Sequence, residues 1–299
     1  MDLINAKASM HTAQTLPPRL HDLGGGFVVR RLLPSAQRQA VGPFVFFDHF
    51  GPVHAQPSDN HDVRPHPHVG LSTVTYLFEG AMMHRDSTGA VQRMEPGQLN
   101  WMTAGRGIVH SERTPPDLRD QPRTSHGLQL WMALPADQEE CEPSFHHFAA
   151  DAIPKVVLAG AHITVMAGRA FGVSSTVPAK SPTIYLVMVL QADSALTIPA
   201  DYSERALYAL DTGCTLDGVA LPQHQMWVLP AGSTPLLQSL DAARVVLVGG
   251  EPLGHRFIAW NFVSSRKERL LQAKEDWIAQ RFPGVEGETE FIPFPESRA

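Results

Sequence analysis

Two short polar clusters in this 299-residue chain combine residue types and spacings that suit metal binding. The first is a His-Pro-His segment with His66 and His68, and the second is a His-Ser-Glu segment with His110 and Glu112. Successive side chains of a strand point to opposite faces, so residues i and i+2 share a face. If the two segments are neighbouring strands, three imidazoles and one carboxylate converge on a single metal ion.

Prolines on both sides of His66 favour an extended backbone there. A residue that precedes proline is displaced from helical geometry toward β geometry, so Pro67 keeps His66 extended. Pro65 and Pro67 also lack a backbone N–H, which suits an edge strand or the first residues of a strand. One His-x-His pair among 15 histidines is equally well explained as two surface histidines. The matching pair in a second apolar strand, residues 107–112, makes a metal site the preferred interpretation.

The elements that must position these side chains are strands. Short apolar runs alternate with 25 prolines and 23 glycines, which is typical of many strands joined by turns. Hydrophobic residues make up 43% of the chain and charged residues 18%, which predicts a globular fold with a core. We predict an all-β fold, a sandwich or small barrel, whose first strands cover residues 27–33, 43–48, 71–79, 81–85, 91–94, 99–102 and 127–135.

The length favours two domains, although one large β domain is also compatible with it. Residues 135–143 are polar and acidic and are interpreted as a linker. A second β-rich region follows, without a His-x-His or His-x-Glu pair, and its isolated His162, His224 and His255 are interpreted as ordinary surface or core residues. We predict domain boundaries at 1–137, 138–263 and 264–299, the last being a helix and tail that dock on the domains.

The stretch 264–280 predicts one amphipathic helix, because its apolar residues recur near helical spacing. Ser264 or Ser265 is the expected N-cap. Three apolar residues after this helix are expected to pack against a domain: Phe291, Ile292 and Phe294.

Charge and apolar content exclude several classes of protein. A net charge of −6 disfavours direct binding to nucleic acid. The sequence has no run of about 18 apolar residues, so a membrane span is not expected. The first residues lack the pattern of a secretory signal, and Cys141 and Cys214 are too isolated for a CxxC motif, so free thiols are predicted. These features together predict a cytoplasmic protein.

Several longer segments resemble the pirins, which are members of the cupin superfamily. The resemblance extends from about residue 20 to residue 285 and is carried by residues 47–52, 65–68, 76–80, 84–87, 100–112, 127–131 and 249–254. It implies a bicupin, with two cupin-type β-barrels and a C-terminal helix. It also implies iron held in the N-terminal barrel by the residues that match His66, His68, His110 and Glu112, and a C-terminal barrel without metal. One position departs from the pattern: many pirins and other cupins have a glutamate where this chain has Ser72.

The resemblance also implies an activity, because pirins are similar to quercetin 2,3-dioxygenases. We therefore expect a flavonol-like substrate, O₂ as co-substrate, and Fe(II), with Mn, Ni, Zn and Cu as alternative ions. Glu112 is the candidate base for the 3-hydroxyl proton of the flavonol. His84, Asp86 and His126 are candidates for orienting the ligating imidazoles.

Two alternatives stay open at this point. The chain is also compatible with an iron-dependent regulator that binds a transcription factor or a metabolic enzyme without turnover. The third candidate is a cupin that isomerises or hydrolyses a sugar or small acid with zinc or manganese. A monomer is expected in each case, since two fused barrels need a partner subunit less than one barrel does.

Overall fold

The computed structural model of the chain describes residues 13–158 and 160–295. Within them the strands of the first half are β1 (Gln14–Leu16), β2 (Arg19–Asp22), β3 (Val28–Leu33), β4 (Phe44–Ala55), β5 (Val63–His68), β6 (Leu71–Glu79), β7 (Met82–Asp86), β8 (Val91–Met94), β9 (Leu99–Thr103), β10 (Ile108–Arg113), β11 (Arg123–Ala133) and β12 (Ser144–Phe148). A single 3-10 turn among these residues covers Pro116–Leu118.

The later elements complete the described chain and include one α-helix. They are β13 (Lys155–Leu158), β14 (Ala161–Ala167), β15 (Arg169–Ala170), β16 (Val173–Ser174), β17 (Thr183–Leu190), β18 (Ser194–Thr197), β19 (Glu204–Ala209), β20 (Cys214–Leu216), β21 (Val219–Leu221), β22 (Met226–Leu229), β23 (Leu236–Ser239), β24 (Ala243–Gly250), β25 (Phe257–Ala259), β26 (Phe262–Ser264) and α1 (Lys267–Ile278). The predictions of an all-β fold and a C-terminal helix are confirmed. Over the described residues, no helix has the length and apolar character needed to cross a membrane.

Most of the described strands form two pairs of sheets with the same sizes, while β15-β16 and β25-β26 form two separate two-stranded sheets. One pair is a seven-stranded sheet, in the order β12-β9-β6-β11-β4-β3-β2, and a four-stranded sheet, β5-β10-β7-β8. The other pair is a seven-stranded sheet, β1-β22-β19-β24-β17-β14-β13, and a four-stranded sheet, β18-β23-β20-β21. A sheet pair of this kind encloses one apolar interior between its inner faces.

The chain divides into two compact units, each made of separate stretches. The first unit contains the described parts of residues 20–29, 47–150 and 253–299, and the second contains those of 1–19, 30–46 and 151–252. The linear boundaries predicted after residues 137 and 263 stay a prediction. Both cysteines are free thiols, as expected.

The interior of the second unit is filled with aliphatic side chains. Leu186, Leu207, Val245 and Leu247 are each fully buried in one cluster. His162 is exposed on β14, as the ordinary-residue interpretation expects. Cys214 lies in the same cluster, and the other members are apolar side chains of the kind that form a packed core.

Helix α1 packs on β25 and β26 and shares one apolar cluster with residues beside the histidines. Leu270, Ala273 and Trp277 lie on one helical face and join one apolar cluster with Val69 and Val109. Val69 follows His68 and Val109 precedes His110, so the valines point away from the histidines. Burial of these side chains therefore stabilises the histidine-bearing strands on the face opposite the histidines. Truncating a buried tryptophan such as Trp277 typically costs roughly 3–5 kcal/mol.

The predicted N-cap of this helix is wrong. The residue at the N-cap is Arg266, and it makes no side-chain capping hydrogen bond. Ser264 lies in β26, and its hydroxyl donates to the carboxylate of Glu139 at 2.8 Å, while the backbone N–H of Ser265 donates to the same carboxylate at 2.8 Å. Both serines thus donate hydrogen bonds to the buried carboxylate of Glu139, and neither caps the helix.

Glu139 lies in the stretch interpreted from the sequence as a linker, and its side chain is buried. It is 1% exposed and lies 3.1 Å from Arg256 Nε, which belongs to the segment before β25. A buried carboxylate keeps its charge only when paired and hydrogen-bonded. The 135–143 stretch therefore contributes to the packing of the first unit.

Candidate metal centre

Strands β5 and β10 bring three histidines together. They are antiparallel neighbours in which His110 stands opposite His66 and Ile108 stands opposite His68. The ring centroids are 4.4 Å apart for His66 and His110 and 5.0 Å apart for His68 and His110. One donor nitrogen from each ring lies within 4.8 Å of the other two. The predicted convergence of the imidazoles on one point is confirmed.

The proline pattern fits the place of β5 in the sheet. β5 is an edge strand, because β10 is its neighbour on one side only. On the open side, the carbonyl of Pro65 accepts a hydrogen bond of 2.8 Å from the backbone N–H of Ile292. The tail thus uses the one backbone group that Pro65 still offers. Phe294, a little further on, packs in the α1 cluster, as predicted.

Burial keeps the three imidazoles neutral. Burial lowers the pKa of His66 to about 4, against a smaller opposing effect of the hydrogen bond to the Arg64 carbonyl. Burial, followed by repulsion from the neighbouring imidazoles, also lowers the pKa of His68 and His110 well below the usual value. A neutral imidazole has one lone pair to donate to an ion. At neutral pH all three side chains are therefore in the form that binds metal.

The geometry agrees with a single ion bound by these rings. His68 Nε2 and His110 Nε2 are 3.1 Å apart. Two nitrogens about 2.1 Å from one ion lie about 3.0 Å apart when they subtend a right angle. His66 Nδ1 is 2.9 Å from the Arg64 carbonyl, which places the ring proton on Nδ1 and leaves Nε2 for the ion. The residues thus fit a metal, and three imidazoles suit iron, nickel, copper or zinc.

Glu112 lies two residues beyond His110 and stands opposite His84 on β7. The pairing of β10 with β5 shifts between His110 and Glu112, so that Glu112 faces Val63 rather than the next residue in register. Burial raises the pKa of its carboxyl to about 7. Among the residues described here, Glu112 is not part of the group of donors within 4.8 Å of one another. Its role as the fourth ligand stays a prediction.

A second row of polar side chains supports His110. His84 Nδ1 is 3.4 Å from His110 Nδ1, and His84 Nε2 is 2.8 Å from Asp86 Oδ2. Burial raises the pKa of Asp86, but hydrogen bonds from His84 and Thr88 outweigh this effect and hold the pKa below its usual value. The Asp86 carboxylate thus fixes His84, and His84 orients His110.

His126, the third residue expected in this role, contacts another histidine. Its Nε2 is 2.9 Å from His49 Nε2, and both rings are buried. Two aromatic residues that the sequence did not single out contact the site: Phe145 stacks on His84 at 4.3 Å, and Trp131 meets His68 edge-on at 5.2 Å. Neither has a local spacing signal, because both lie on strands of the seven-stranded sheet, whereas the histidines lie on the four-stranded sheet.

Ser72, the position at which the resemblance implied a glutamate, pairs with another hydroxyl group. Ser72 Oγ lies 3.0 Å from Thr103 Oγ1 on the neighbouring strand β9, and both residues are buried. The buried hydroxyl of Ser72 therefore has a hydrogen-bond partner in Thr103.

Comparison with known proteins agrees with this geometry. Residues 26–132 match the Pirin family, and residues 185–283 match the Pirin C-terminal cupin domain. A pirin-like protein of Caulobacter vibrioides is 47% identical over 283 residues, which cover 93% of this chain and 97% of that protein. A solved quercetin 2,3-dioxygenase from Acinetobacter baumannii is 34% identical, with a TM-score of 0.88 over 98% of both chains.

A more distant structure shares the fold. A bacterial pirin from Escherichia coli in complex with nickel(II) is 15% identical, with a TM-score of 0.64 over 81% of this chain and 100% of that one. The bicupin architecture inferred from the resemblance is confirmed by the two matched domains and by the superposition on the quercetin 2,3-dioxygenase. The chain therefore belongs to the pirin family.

Proposed function

We propose that this protein is a metal-dependent dioxygenase of the quercetin 2,3-dioxygenase type, which cleaves a flavonol-like substrate with O₂. The observation that carries the proposal is the convergence of three buried, neutral imidazoles on one point. Three protein ligands leave coordination positions for a substrate oxygen, as catalytic metal sites require. The similarity to the quercetin 2,3-dioxygenase of Acinetobacter baumannii supports the choice of reaction.

His66, His68 and His110 would hold the ion, with Glu112 as a proposed fourth ligand. We propose Fe(II) as the resident metal; Mn, Ni, Zn and Cu are the alternatives, and the Escherichia coli relative was solved with nickel(II). When bound, the metal supplies Lewis-acid polarisation of the 3-hydroxyl oxygen of the flavonol and redox exchange with O₂.

The remaining steps belong to side chains of this protein. Glu112 is the proposed base, because it follows His110 on the same strand and its carboxylate can accept the 3-hydroxyl proton. The Asp86–His84 pair holds the His110 ring in the orientation that binds metal. Because the three histidines are buried, an oxygen bound beside them would be shielded from bulk water.

The test is oxygen uptake by anaerobically purified, Fe(II)-loaded protein after addition of quercetin. We expect uptake that disappears in His110→Ala, which loses a ligand, and persists in His162→Ala, an exposed histidine of the second unit. No uptake by protein that demonstrably contains iron would contradict the dioxygenase proposal. That result would favour the regulator alternative and a search for an iron-dependent protein partner.

A second variant tests the role of Glu112. Glu112→Gln keeps the size of the side chain but removes the proton acceptor, so kcat should fall more than the affinity for substrate. Equal losses, or none, would exclude Glu112 as the base. The monomeric state and the cytoplasmic location stay predictions, which light scattering and cell fractionation test.

A further inference from the structure

The seven-stranded sheet of the first unit carries polar side chains on the face that meets the candidate metal centre. Trp131 of β11 contacts the His68 ring edge-on at 5.2 Å, so its side chain points to the histidines. Gln129 lies two residues before Trp131 on the same strand and therefore shares its face. Residues i and i+2 of a strand are about 7 Å apart, so Gln129 lies about 7 Å from a residue that contacts a proposed ligand.

Gln129 belongs to a row of polar side chains that crosses three strands. It stands opposite Thr75 of β6, and Thr75 stands opposite Asn100 of β9. Opposite residues of antiparallel strands lie on one face of the sheet. Leu77 and Met102, each two residues from a member of this row and on opposite sides of it, are apolar and buried. This face of the sheet therefore has one polar level between two apolar levels.

The space in front of Gln129 is not filled with protein. β11 is an inner strand of its sheet, between β6 and β4. Residues 126–133 of this strand are all buried except Gln129, which is half-buried. An inward-facing side chain of an inner strand keeps accessible surface only where other side chains leave room in front of it. A ligand in this space can therefore reach the Gln129 side chain.

Thr75 fixes the orientation of the Gln129 amide. The hydroxyl of Thr75, a buried residue, donates to Gln129 Oε1 at 2.6 Å. Because Thr75 holds the amide oxygen, the two N–H groups on Gln129 Nε2 are the donors that the amide offers to a ligand. A side chain held in this way loses less conformational freedom when it binds an oxygen atom.

The separation of Gln129 from the metal centre indicates which substrate oxygen it would bind. In a flavonol the 4-carbonyl is adjacent to the 3-hydroxyl, so it stays beside the metal when the 3-hydroxyl oxygen is bound there. The oxygens further away are phenolic hydroxyls on the outer rings. A phenolic oxygen accepts a hydrogen bond from an amide N–H, and the apolar levels beside the polar row suit the aromatic rings.

We propose that Gln129, oriented by Thr75, binds a phenolic hydroxyl of the substrate and selects flavonols that carry a hydroxyl on an outer ring. This inference rests on the proposed dioxygenase function, because the metal holds the other end of the substrate. One hydrogen bond of this kind is worth roughly five- to tenfold in affinity. Thr75 acts only through Gln129 and is therefore a positioning residue.

The test is calorimetry on the Zn(II)-loaded full chain with three flavonols as probes. They are 3-hydroxyflavone, galangin, which has further hydroxyls on the fused ring, and 3,4′-dihydroxyflavone, which has one on the pendant ring. We expect galangin or 3,4′-dihydroxyflavone to bind the wild type roughly five- to tenfold more tightly than 3-hydroxyflavone does. Gln129→Leu should lose this preference and bind 3-hydroxyflavone as the wild type does. Thr75→Val, a change of similar size, should reduce the preference and tests the proposal even if Gln129→Leu fails to fold.

The matched control is Gln238→Leu, at a half-buried glutamine of β23 in the second unit, and it should keep the wild-type preference. The proposal is overturned if 3-hydroxyflavone binds the wild type as tightly as both other probes do. It is also overturned if the Gln129 and Thr75 variants keep the preference or weaken all three probes equally. If no flavonol binds, the dioxygenase proposal fails with it. Oxygen uptake by Fe(II)-loaded protein with 3-hydroxyflavone, without a preference among the probes, would overturn this inference alone.

Discussion

The substitution Asp86→Asn should weaken metal binding although Asp86 is not a ligand. The Asp86 carboxylate only accepts hydrogen bonds, so His84 Nε2 must carry the ring proton and His84 Nδ1 has the lone pair. That lone pair faces His110 Nδ1 at 3.4 Å. The proton of His110 is therefore favoured on Nδ1, which leaves its Nε2 free for the ion.

Asparagine at position 86 would reverse the positions of the ring protons on His84 and His110. The backbone N–H groups of Thr88 and Ala90 donate to Asp86 Oδ1 at 2.8 and 3.3 Å, so the amide oxygen of the variant would stay on that side. The amide NH₂ would then face His84 Nε2, which becomes the acceptor. The proton of His84 would move to Nδ1, and that of His110 would move to Nε2, the nitrogen that must be free to bind the ion. Substitutions in such supporting residues typically cost 10–100-fold in metal affinity, or about 1.4–2.7 kcal/mol.

The assay is competition for Zn(II) with a chromophoric chelator, alongside thermal unfolding of the metal-free proteins. The control is Thr88→Val, which removes the 2.6 Å bond from the Thr88 hydroxyl to Asp86 Oδ1 but leaves the His84 contact in place. We expect the control to bind metal as the wild type does. A folded Asp86→Asn protein with wild-type affinity, or an equal loss in Thr88→Val, would refute the reasoning.

Three further predictions concern stability. Glu139→Ala leaves the buried Arg256 without its carboxylate, so urea denaturation should show a loss of roughly 3–5 kcal/mol in unfolding free energy; a loss under about 1 kcal/mol would contradict the buried pair. Hydrogen bonds from Arg113 hold the pKa of Glu288 below its usual value, so its stabilisation is present above the unfolded-state pKa of about 4.3 and is lost as the pH falls through the lower folded value. Glu288→Gln should therefore lower the melting temperature at pH 7, and its difference from the wild type should shrink as the pH falls through the lowered pKa of the folded state; a difference independent of pH would count against this. Gly105 has φ of 51° and no room for a Cβ beside a neighbouring carbonyl, so Gly105→Ala should cost at least about 1–3 kcal/mol in the same urea assay, and an unchanged midpoint would contradict the close approach.

Local patterns were sufficient to predict most of the first unit. The ranges expected for β6 (Leu71–Glu79) and β8 (Val91–Met94) agree with the structure, because alternation and turn residues are properties of a few adjacent positions. The helix was also predicted, but not its N-cap. Ser264 binds Glu139, which is 125 positions away in the chain, and no local propensity contains that contact.

The candidate site also depends partly on local sequence patterns and partly on contacts between distant segments. The alternation of a strand makes His66 and His68 share a face, and Pro67 keeps the segment extended, so the sequence alone determined a two-histidine arrangement on one strand. Only the pairing of β5 with β10 decided that His110 joins them, since 42 positions separate it from its nearest partner. The same pairing shifts before Glu112, so alternation alone could not place that carboxylate. Burial, the lowered pKa of the imidazoles and the Asp86–His84 support depend on atoms from distant segments meeting in one interior, and these properties exist only in the tertiary structure.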